Sequence, residues 1–354
     1  MENKNAIINA LNILKKYGYL NNLNEDLLTT ACVNGDIEIL EWYKNEFKDL
    51  TSNVKMFEKA SENGHINVLN WIKKNLDWEN LMLTSDIITK ASENGHINVL
   101  EWLKNNCFCF KYKYKLCAVN FASLKGHINV LEWWKNNGLL FKYDKNAISY
   151  AFNEGHIHVL EWWKNSGFDI KYNNNILDYA NNTDVLEWWE NSGLEMKYTD
   201  YATDYASQSN NIAVLEWWKN SKYEFKYNNM FMSNISQNGH VNVLEWWKNS
   251  GYEFKYSESA ITYASCYGNV DVLEWWKNSG YEFKYNETAI TSAAYYGHIN
   301  VLEWFHNSGY KFIYNDYNSV HFIEGKLEIV SEWFKQKGYP FNENKLYQDD
   351  TGDY

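Results

Sequence analysis

Histidine is the residue whose spacing in this chain most resembles a chemical site. Six of the nine histidines follow a glycine in a recurring phrase, Gly-His-x-x-Val-Leu. They are His65, His96, His127, His156, His240 and His298. A row of imidazoles could bind metal, but metal-binding histidines are held in place by an orienting partner, and the phrase recruits no carboxylate. We therefore interpret these rings as bonding to backbone groups between helices, and predict neither a metal site nor a cofactor.

The cysteines are a second candidate for metal chemistry. Three of the five lie close together in the sequence, at Cys107, Cys109 and Cys117. They lack the C-x-x-C pair and the fourth ligand of a zinc site, so we interpret them as structural or incidental. An odd, scattered set is also unlike a disulfide framework, which predicts a reducing intracellular compartment.

Enzyme motifs are not found in the sequence. There is no nucleophile with a base and an orienting partner, no Walker loop and no dinucleotide-binding fingerprint. The 18 glycines recur mostly at one point of a repeated phrase, which is typical of helix terminators. We predict that the protein is not an enzyme.

Charge and hydropathy exclude two classes of partner. The formal net charge is −12, and the sequence contains no arginine. Nucleic-acid binders carry a basic stripe, so we expect no nucleic acid partner. No stretch approaches the ~18 uncharged apolar residues of a membrane span, and the N-terminus is not a signal peptide. We expect a cytoplasmic protein without membrane association.

The elements that position these residues are set by an internal repeat. Eleven copies of the phrase, numbered here as repeats 1 to 11, align on their first tryptophan. These residues are Trp42, Trp71, Trp102, Trp133, Trp162, Trp188, Trp217, Trp246, Trp275, Trp304 and Trp333. Seven of the ten steps are 29 residues long, two are 31 and one is 26. Such periodicity predicts a stacked array of repeats rather than separate globular domains.

Each repeat is predicted to form two helices. In repeat 10 the first helix is expected over residues 287–295, with Asn286 as its N-cap. Gly297 is expected to end it in the left-handed conformation. The second helix is expected over residues 298–307 and should end in the same way at Gly309.

The apolar face of the second helix predicts how the repeats associate. Ile299, Val301, Leu302, Trp304 and Phe305 spread over an arc of about 220° at 100° per residue. A surface helix needs little more than about 100°, so this helix must contact the equivalent helices on both sides. The paired tryptophans fall in this arc and are predicted to pack in the core. The Glu and Lys that flank them are interpreted as a solvated face.

The sequence also predicts domain boundaries. Residues 1–24 align with the second half of a repeat and should form an N-terminal cap. Residues 25–340 should form the repeat array. Residues 341–354 are polar and acidic and are expected to form a frayed tail.

The recurring phrase resembles the second half of the ankyrin repeat. In repeat 10, residues 288–294 (Thr-Ala-Ile-Thr-Ser-Ala-Ala) lie where that family has Thr-Pro-Leu-His-x-Ala-Ala. The resemblance covers roughly residues 6–340. The short form resembles the ankyrin proteins encoded by large DNA viruses of protists and by some protists themselves. A viral origin would place the protein in the host cytoplasm.

The resemblance implies a fold and a kind of function. We expect an all-α, ankyrin-type α-solenoid of about eleven helix-turn-helix repeats. The short period implies that tight loops replace the β-hairpin fingers. Ankyrin proteins bind other proteins, so we expect a monomeric scaffold or adaptor that binds a protein on its concave face. The alternative is the substrate-recognition subunit of a ubiquitin-ligase-type complex.

Variation between the copies indicates where a partner would bind. The two residues before the turn glycine change freely from repeat to repeat. In ankyrin proteins this pair lies at the end of the inner helix and faces the concave groove. Aromatic side chains dominate binding hot spots, so the late repeats are favoured. The predicted binding residues are Leu124, Lys125, Cys266, Tyr267, Tyr295 and Tyr296.

Overall fold

The computed structural model describes most of the chain as helix pairs in two compact units. The described residues are 2–17, 19, 24–47, 54–76, 85–107, 110, 114–228, 231–315 and 325–340. Unit 1 comprises Met1–Ile176 with Glu187–Leu194, and unit 2 comprises Leu177–Leu186 with Glu195–Tyr354. The predicted tail 341–354 and Cys109 lie outside the described residues.

Unit 1 begins with a single helix and continues as helix pairs. Leu11 of the first helix is buried, and the side chain of Asn12 accepts a hydrogen bond from the Trp42 indole of repeat 1 at 2.8 Å. The helices are Glu2–Lys16, Asn24–Asn34, Ile37–Glu46, Val54–Glu62, Ile66–Asn75, Ser85–Glu93, Ile97–Asn106, Cys117–Leu124, Ile128–Asn136, Lys145–Asn153 and Ile157–Asn165. First helices pack on first helices of the next repeat, and second helices on second helices.

Repeat 6 is shorter than the others. Its first helix is a single 3-10 turn, Ile176–Tyr179, and its second is Thr183–Ser192. The following elements belong to unit 2 and stack in the same way. They are Tyr201–Gln208, Ile212–Asn220, Phe231–Asn238, Val241–Asn249, Ser259–Cys266, Val270–Asn278, Glu287–Tyr295, Ile299–Asn307 and Leu327–Lys337.

All regular elements among the described residues are helices. Each unit is therefore an all-α, ankyrin-type α-solenoid of stacked helix pairs, as the repeat predicts. None of the described helices is both long and apolar enough to span a bilayer.

Repeat 10 shows why the helices begin and end where they do. The side chain of Asn286 accepts a hydrogen bond from the backbone N–H of Thr288 at 2.9 Å and caps the first helix. Gly297 has a φ of 73°, a left-handed conformation that reverses the chain at little cost only in glycine. The second helix begins at Ile299, one residue later than predicted, because His298 adopts a non-helical cap conformation.

The paired tryptophans do not share one environment, which corrects the prediction that both pack in the core. The second member of each pair, such as Trp163 or Trp247, is completely buried. The first member, such as Trp162 or Trp246, is only half-buried. One step along a helix turns a side chain by 100°, so the first member lies at the edge of the apolar arc. Trp246 still lies between neighbouring repeats, as its bond to Glu216 of repeat 7 shows.

A buried polar contact joins the second tryptophan to the repeat before it. The indole N–H of Trp247 donates to the Ser207 hydroxyl at 3.0 Å, and Trp163 donates to Ser123 at 3.1 Å. In repeat 3 the second position is Leu103, and the buried hydroxyl of Ser61 in repeat 2 has no partner. Trp218 likewise has a buried indole N–H without a partner. In the repeat before it, repeat 6, the residue after Tyr179-Ala180 is Asn181, where repeat 7 has Ser207.

The connections between repeats are held together by aromatic rings. Phe254 stacks on Tyr281 of the next connection with ring centroids 4.4 Å apart. The hydroxyl of Tyr256 donates to the carbonyl of Glu282 at 2.9 Å. Lys284 lies over the Tyr256 ring at 4.5 Å, a cation–π contact. These contacts join successive connections without any strand among the residues that the structure describes.

Candidate protein-binding surface

The predicted binding pair lies at the C-terminal end of the first helix, where its backbone is fixed by the next repeat. The ring Nε2 of His298 lies 2.9 Å from the carbonyl of Cys266. His240 makes the same contact with Gln208 at 3.0 Å. The histidines therefore bond to backbone as predicted, but they join successive repeats rather than the two helices of one repeat. They hold the backbone of the variable pair while its side chains remain available.

Burial and a backbone hydrogen bond define the environment of these histidine rings. Burial is the main cause that lowers the pKa of His96 and of His127 below the ordinary value. Both rings are therefore neutral at neutral pH, which suits a hydrogen bond to a carbonyl. Among the described residues, no three histidine, cysteine or carboxylate side chains are placed to hold a metal ion.

Four of the six predicted residues come together in unit 2. Tyr295 and Tyr296 pack edge to face with ring centroids 4.8 Å apart. Tyr296 shares a hydrogen bond with the Cys266 side chain. Tyr267, which follows Cys266, is 52% exposed and Tyr296 is 39% exposed. Burial raises the pKa of the Cys266 thiol, so it stays protonated and is no nucleophile at neutral pH.

Leu124 and Lys125 belong to a different surface. Both lie in unit 1, at the end of helix Cys117–Leu124. Leu124 is half-buried and its carbonyl accepts the hydrogen bond from His156 at 3.0 Å, whereas Lys125 is exposed. The pair has the same place in its repeat as Cys266 and Tyr267, but it brings no aromatic ring to the surface.

The sequence prediction missed Tyr263. It is 41% exposed and lies one helical turn before Cys266 and Tyr267, on the same face of helix Ser259–Cys266. We use the name tyrosine surface for Tyr263, Tyr267 and Tyr296, which are exposed, together with Cys266 and Tyr295, which are half-buried. The missed signal was a third variable position, three residues before the pair.

That third position carries aromatic residues in the middle repeats as well. In unit 1 Phe121 and Tyr150 stack with ring centroids 6.0 Å apart. In unit 2 Tyr179 lies 5.6 Å from both Tyr201 and Tyr205. Aromatic surface thus accompanies the first helices over several repeats, although it is most exposed in repeats 9 and 10.

Repeats 2 and 3 of unit 1 carry charged residues at the positions that Tyr263 and Cys266 occupy in repeat 9. Lys59 pairs with Glu62 at 2.7 Å, and Lys90 pairs with Glu93 at 2.8 Å. The first helices of repeats 7 to 10 contain no lysine. Their charged side chains are Asp204, which is buried, and Glu287, which is exposed.

A network of Trp–Glu hydrogen bonds joins the second helices of successive repeats. In most repeats the glutamate before the tryptophan pair accepts a hydrogen bond from the first tryptophan of the next repeat. Examples are Trp275 to Glu245 and Trp304 to Glu274, both at 2.8 Å. These indole N–H bonds are the main cause that lowers the pKa of each carboxyl. The glutamates are therefore part of the inter-repeat structure, which corrects their interpretation as a merely solvated face.

Comparison with known proteins supports an ankyrin-type repeat over part of the chain. A family model described as ankyrin repeats (many copies) matches residues 260–306. This span contains Tyr263, Cys266, Tyr267, Tyr295 and Tyr296, the whole tyrosine surface. No curated protein matches the sequence.

Among solved structures, the crystal structure of the pentatricopeptide repeat protein PPR10 from maize is similar to 98% of this chain. The chain spans 55% of that protein at 12% sequence identity, with a TM-score of 0.30. This similarity is too low to inform function.

Proposed function

We propose that this protein is a non-enzymatic scaffold or adaptor that binds a protein partner through the tyrosine surface. The observation that carries the proposal is the exposure of several aromatic rings at fixed positions. Tyr263, Tyr267 and Tyr296 are each more than a third exposed. Large aromatic side chains on a rigid backbone are typical centres of protein interfaces.

The surroundings of the surface support the proposal. The backbone beneath it is held by the His298 bond to Cys266 and by the positive φ of Gly268 and Gly297. A preorganised surface loses little conformational entropy on binding. The surface also lies within the residues that match the ankyrin repeat model, and ankyrin repeats generally mediate protein–protein interaction.

The test compares two pairs of substitutions at equivalent positions. A partner is first captured from native lysate with the full chain and identified by mass spectrometry. Its affinity is then measured for Tyr267→Ser/Tyr296→Ser and for the matched control Glu93→Ser/Asn94→Ser. We expect the tyrosine variant to bind at least about tenfold more weakly, roughly 1.4 kcal/mol, and the control to bind like the wild type.

Folding should be nearly unchanged in both variants, because sister repeats carry Glu, Asn and Gln at these positions. Circular dichroism and thermal unfolding check this point. Equal partner affinity in the two variants, with both folded, would show that the tyrosine surface is not the binding site.

A further inference from the structure

The tyrosine rings of this chain fall into two groups that differ in whether a cation covers them. On the connections between repeats, lysines lie over tyrosine rings: Lys226 over Tyr198 at 4.4 Å and Lys284 over Tyr256 at 4.5 Å. In the part of the chain that the structure describes, no lysine lies over Tyr263 or Tyr267. The rings of Tyr263 and Tyr267 thus lack the lysine that covers tyrosine rings on the connections, whereas Tyr296 already stacks on His298.

The charged side chains on the two first helices that carry the tyrosine surface are acidic, while Lys326 of the following repeat packs on Gly297 beside Tyr296. Helices Ser259–Cys266 and Glu287–Tyr295 contain no lysine. Exposed carboxylates lie at their N-terminal ends, on Glu258 and Glu287. An eight-residue helix is about 12 Å long, so these carboxylates are within reach of a partner segment seated on the rings. The formal net charge of −12 would also attract a basic partner over a distance.

Building on the proposed function, we propose that the tyrosine surface binds a basic segment of its partner, rich in arginine and lysine. A guanidinium or ammonium group is attracted to the face of an aromatic ring. Arginine suits this surface best because its planar group also stacks on rings and donates to carboxylates. The rings of Tyr263 and Tyr267 would take the cations, and Glu258 and Glu287 would balance the charge.

An acidic segment fits this surface poorly. It would meet the carboxylates of Glu258 and Glu287 and find no lysine on the first helices to pair with. The early repeats offer a contrast, because Lys59 and Lys90 already neutralise Glu62 and Glu93 there. A basic segment should therefore prefer repeats 9 and 10 over repeats 2 and 3.

The test uses synthetic peptides and the full chain. Three peptides share a Gly-Ser framework and carry Arg, Lys or Glu at the same positions. Their binding is followed by fluorescence anisotropy at low and at physiological salt. We expect the Arg peptide to bind most tightly, the Lys peptide more weakly, and the Glu peptide not measurably.

Variants separate ring chemistry from bulk charge. Tyr263→Leu/Tyr267→Leu keeps apolar surface but removes the ring quadrupole, and should weaken Arg-peptide binding at least about fivefold. Tyr263→Phe/Tyr267→Phe keeps the rings and should stay within about twofold of the wild type. The matched control Lys90→Leu/Asn94→Leu alters the equivalent positions of repeat 3 and should not weaken binding. Circular dichroism confirms that each variant is folded.

Several outcomes would overturn the inference. They are absence of Arg-peptide binding, equal or tighter binding of the Glu peptide, and unchanged Arg-peptide affinity in the leucine variant. The last would mean that only the overall negative charge attracts the peptide. If a captured partner still depends on Tyr267 and Tyr296, the scaffold function stands and only the basic chemistry is wrong. If substitution of both residues leaves the affinity for that partner unchanged, the proposed function itself is wrong.

Discussion

The first helices of repeats 2 and 3 each carry a Lys–Glu ion pair. At the same end of the first helix, repeats 9 and 10 expose tyrosine rings instead. In repeat 3, Lys90 and Glu93 form an ion pair one helical turn apart. In repeat 9 the equivalent residues are Tyr263 and Cys266, and the tyrosine is exposed. Exposed ion pairs contribute little to stability or binding, while exposed aromatic groups are the usual anchors of interfaces.

The two regions differ in these surface side chains, although the hydrogen bonds that join their repeats are the same. His96 bonds to the carbonyl of Glu62 at 2.9 Å in unit 1, and His298 makes the same bond to Cys266 in unit 2. Ser92 and Ser236 both accept a hydrogen bond from a buried tryptophan. The repeats therefore differ in sequence at positions outside the buried core, where a binding specificity can change without loss of the fold.

The largest expected effect tests this shared framework. Trp247 is fully buried, packs against Phe231 with ring centroids 4.3 Å apart and donates to Ser207. Trp247→Ala should cost about 3–5 kcal/mol, as other large core truncations do. Trp246→Ala should cost clearly less, because its ring is half-buried. Denaturant unfolding of both variants measures the two costs.

Amide exchange of the same variants tests how far the damage spreads. Contacts in a solenoid are between neighbours, so protection should fall mainly in repeats 7 to 9. Equal costs for the two tryptophans, or a uniform loss of protection along the chain, would contradict the packing described above.

A smaller effect is expected from a polar pair that the two units build in opposite ways. In unit 1, Asn120 on the first helix donates to Asp144 of the next connection at 2.8 Å. In unit 2, the helix carries Asp204 and the connection carries Asn228, which donates to it. Burial raises the pKa of Asp204 from 3.8 to about 6, and one of its carboxylate oxygens has no partner.

A carboxyl with a raised pKa in the folded state loses its stabilising contribution as the pH rises through that pKa. Asp204→Asn should therefore raise the free energy of unfolding at pH 8 by up to about 3 kcal/mol, the equivalent of the pKa rise from 3.8 to about 6, and leave it nearly unchanged at pH 4. Thermal unfolding across this range checks the sign. Asp144→Asn is the matched control, and it should show no such gain at pH 8. A gain that is independent of pH would disprove the ionisation argument.

Much of the fold could be predicted because the repeat fixes it locally. The Asn286 cap, the Gly297 turn and the helix Glu287–Tyr295 follow from residues within one repeat. The bond from Trp304 to Glu274 could not be predicted, because its partners are 30 residues apart. Helical phase alone also places both members of a tryptophan pair in one arc, and only the neighbouring repeats decide which member is buried.

The candidate site was predicted in part for the same reason. The variable pair before the turn glycine stands out in the alignment of repeats, and this gave Tyr267, Tyr295 and Tyr296. Tyr263 was missed because it lies one turn earlier, among residues that look like ordinary helix. Tyr179 was missed because repeat 6 has no turn glycine after its first helix, so the variable pair cannot be recognised there.

The measurement that tests the central claim most directly places the pattern of repeat 3 on repeat 9. The variant Tyr263→Lys/Cys266→Glu/Tyr267→Asn copies Lys90, Glu93 and Asn94. Because sister repeats already carry this pattern, its circular dichroism and unfolding midpoint should stay close to those of the wild type. Partner affinity should nevertheless fall at least about tenfold, since the variant removes open rings from the interface. A folded variant that binds the partner within about twofold of the wild type would contradict the account.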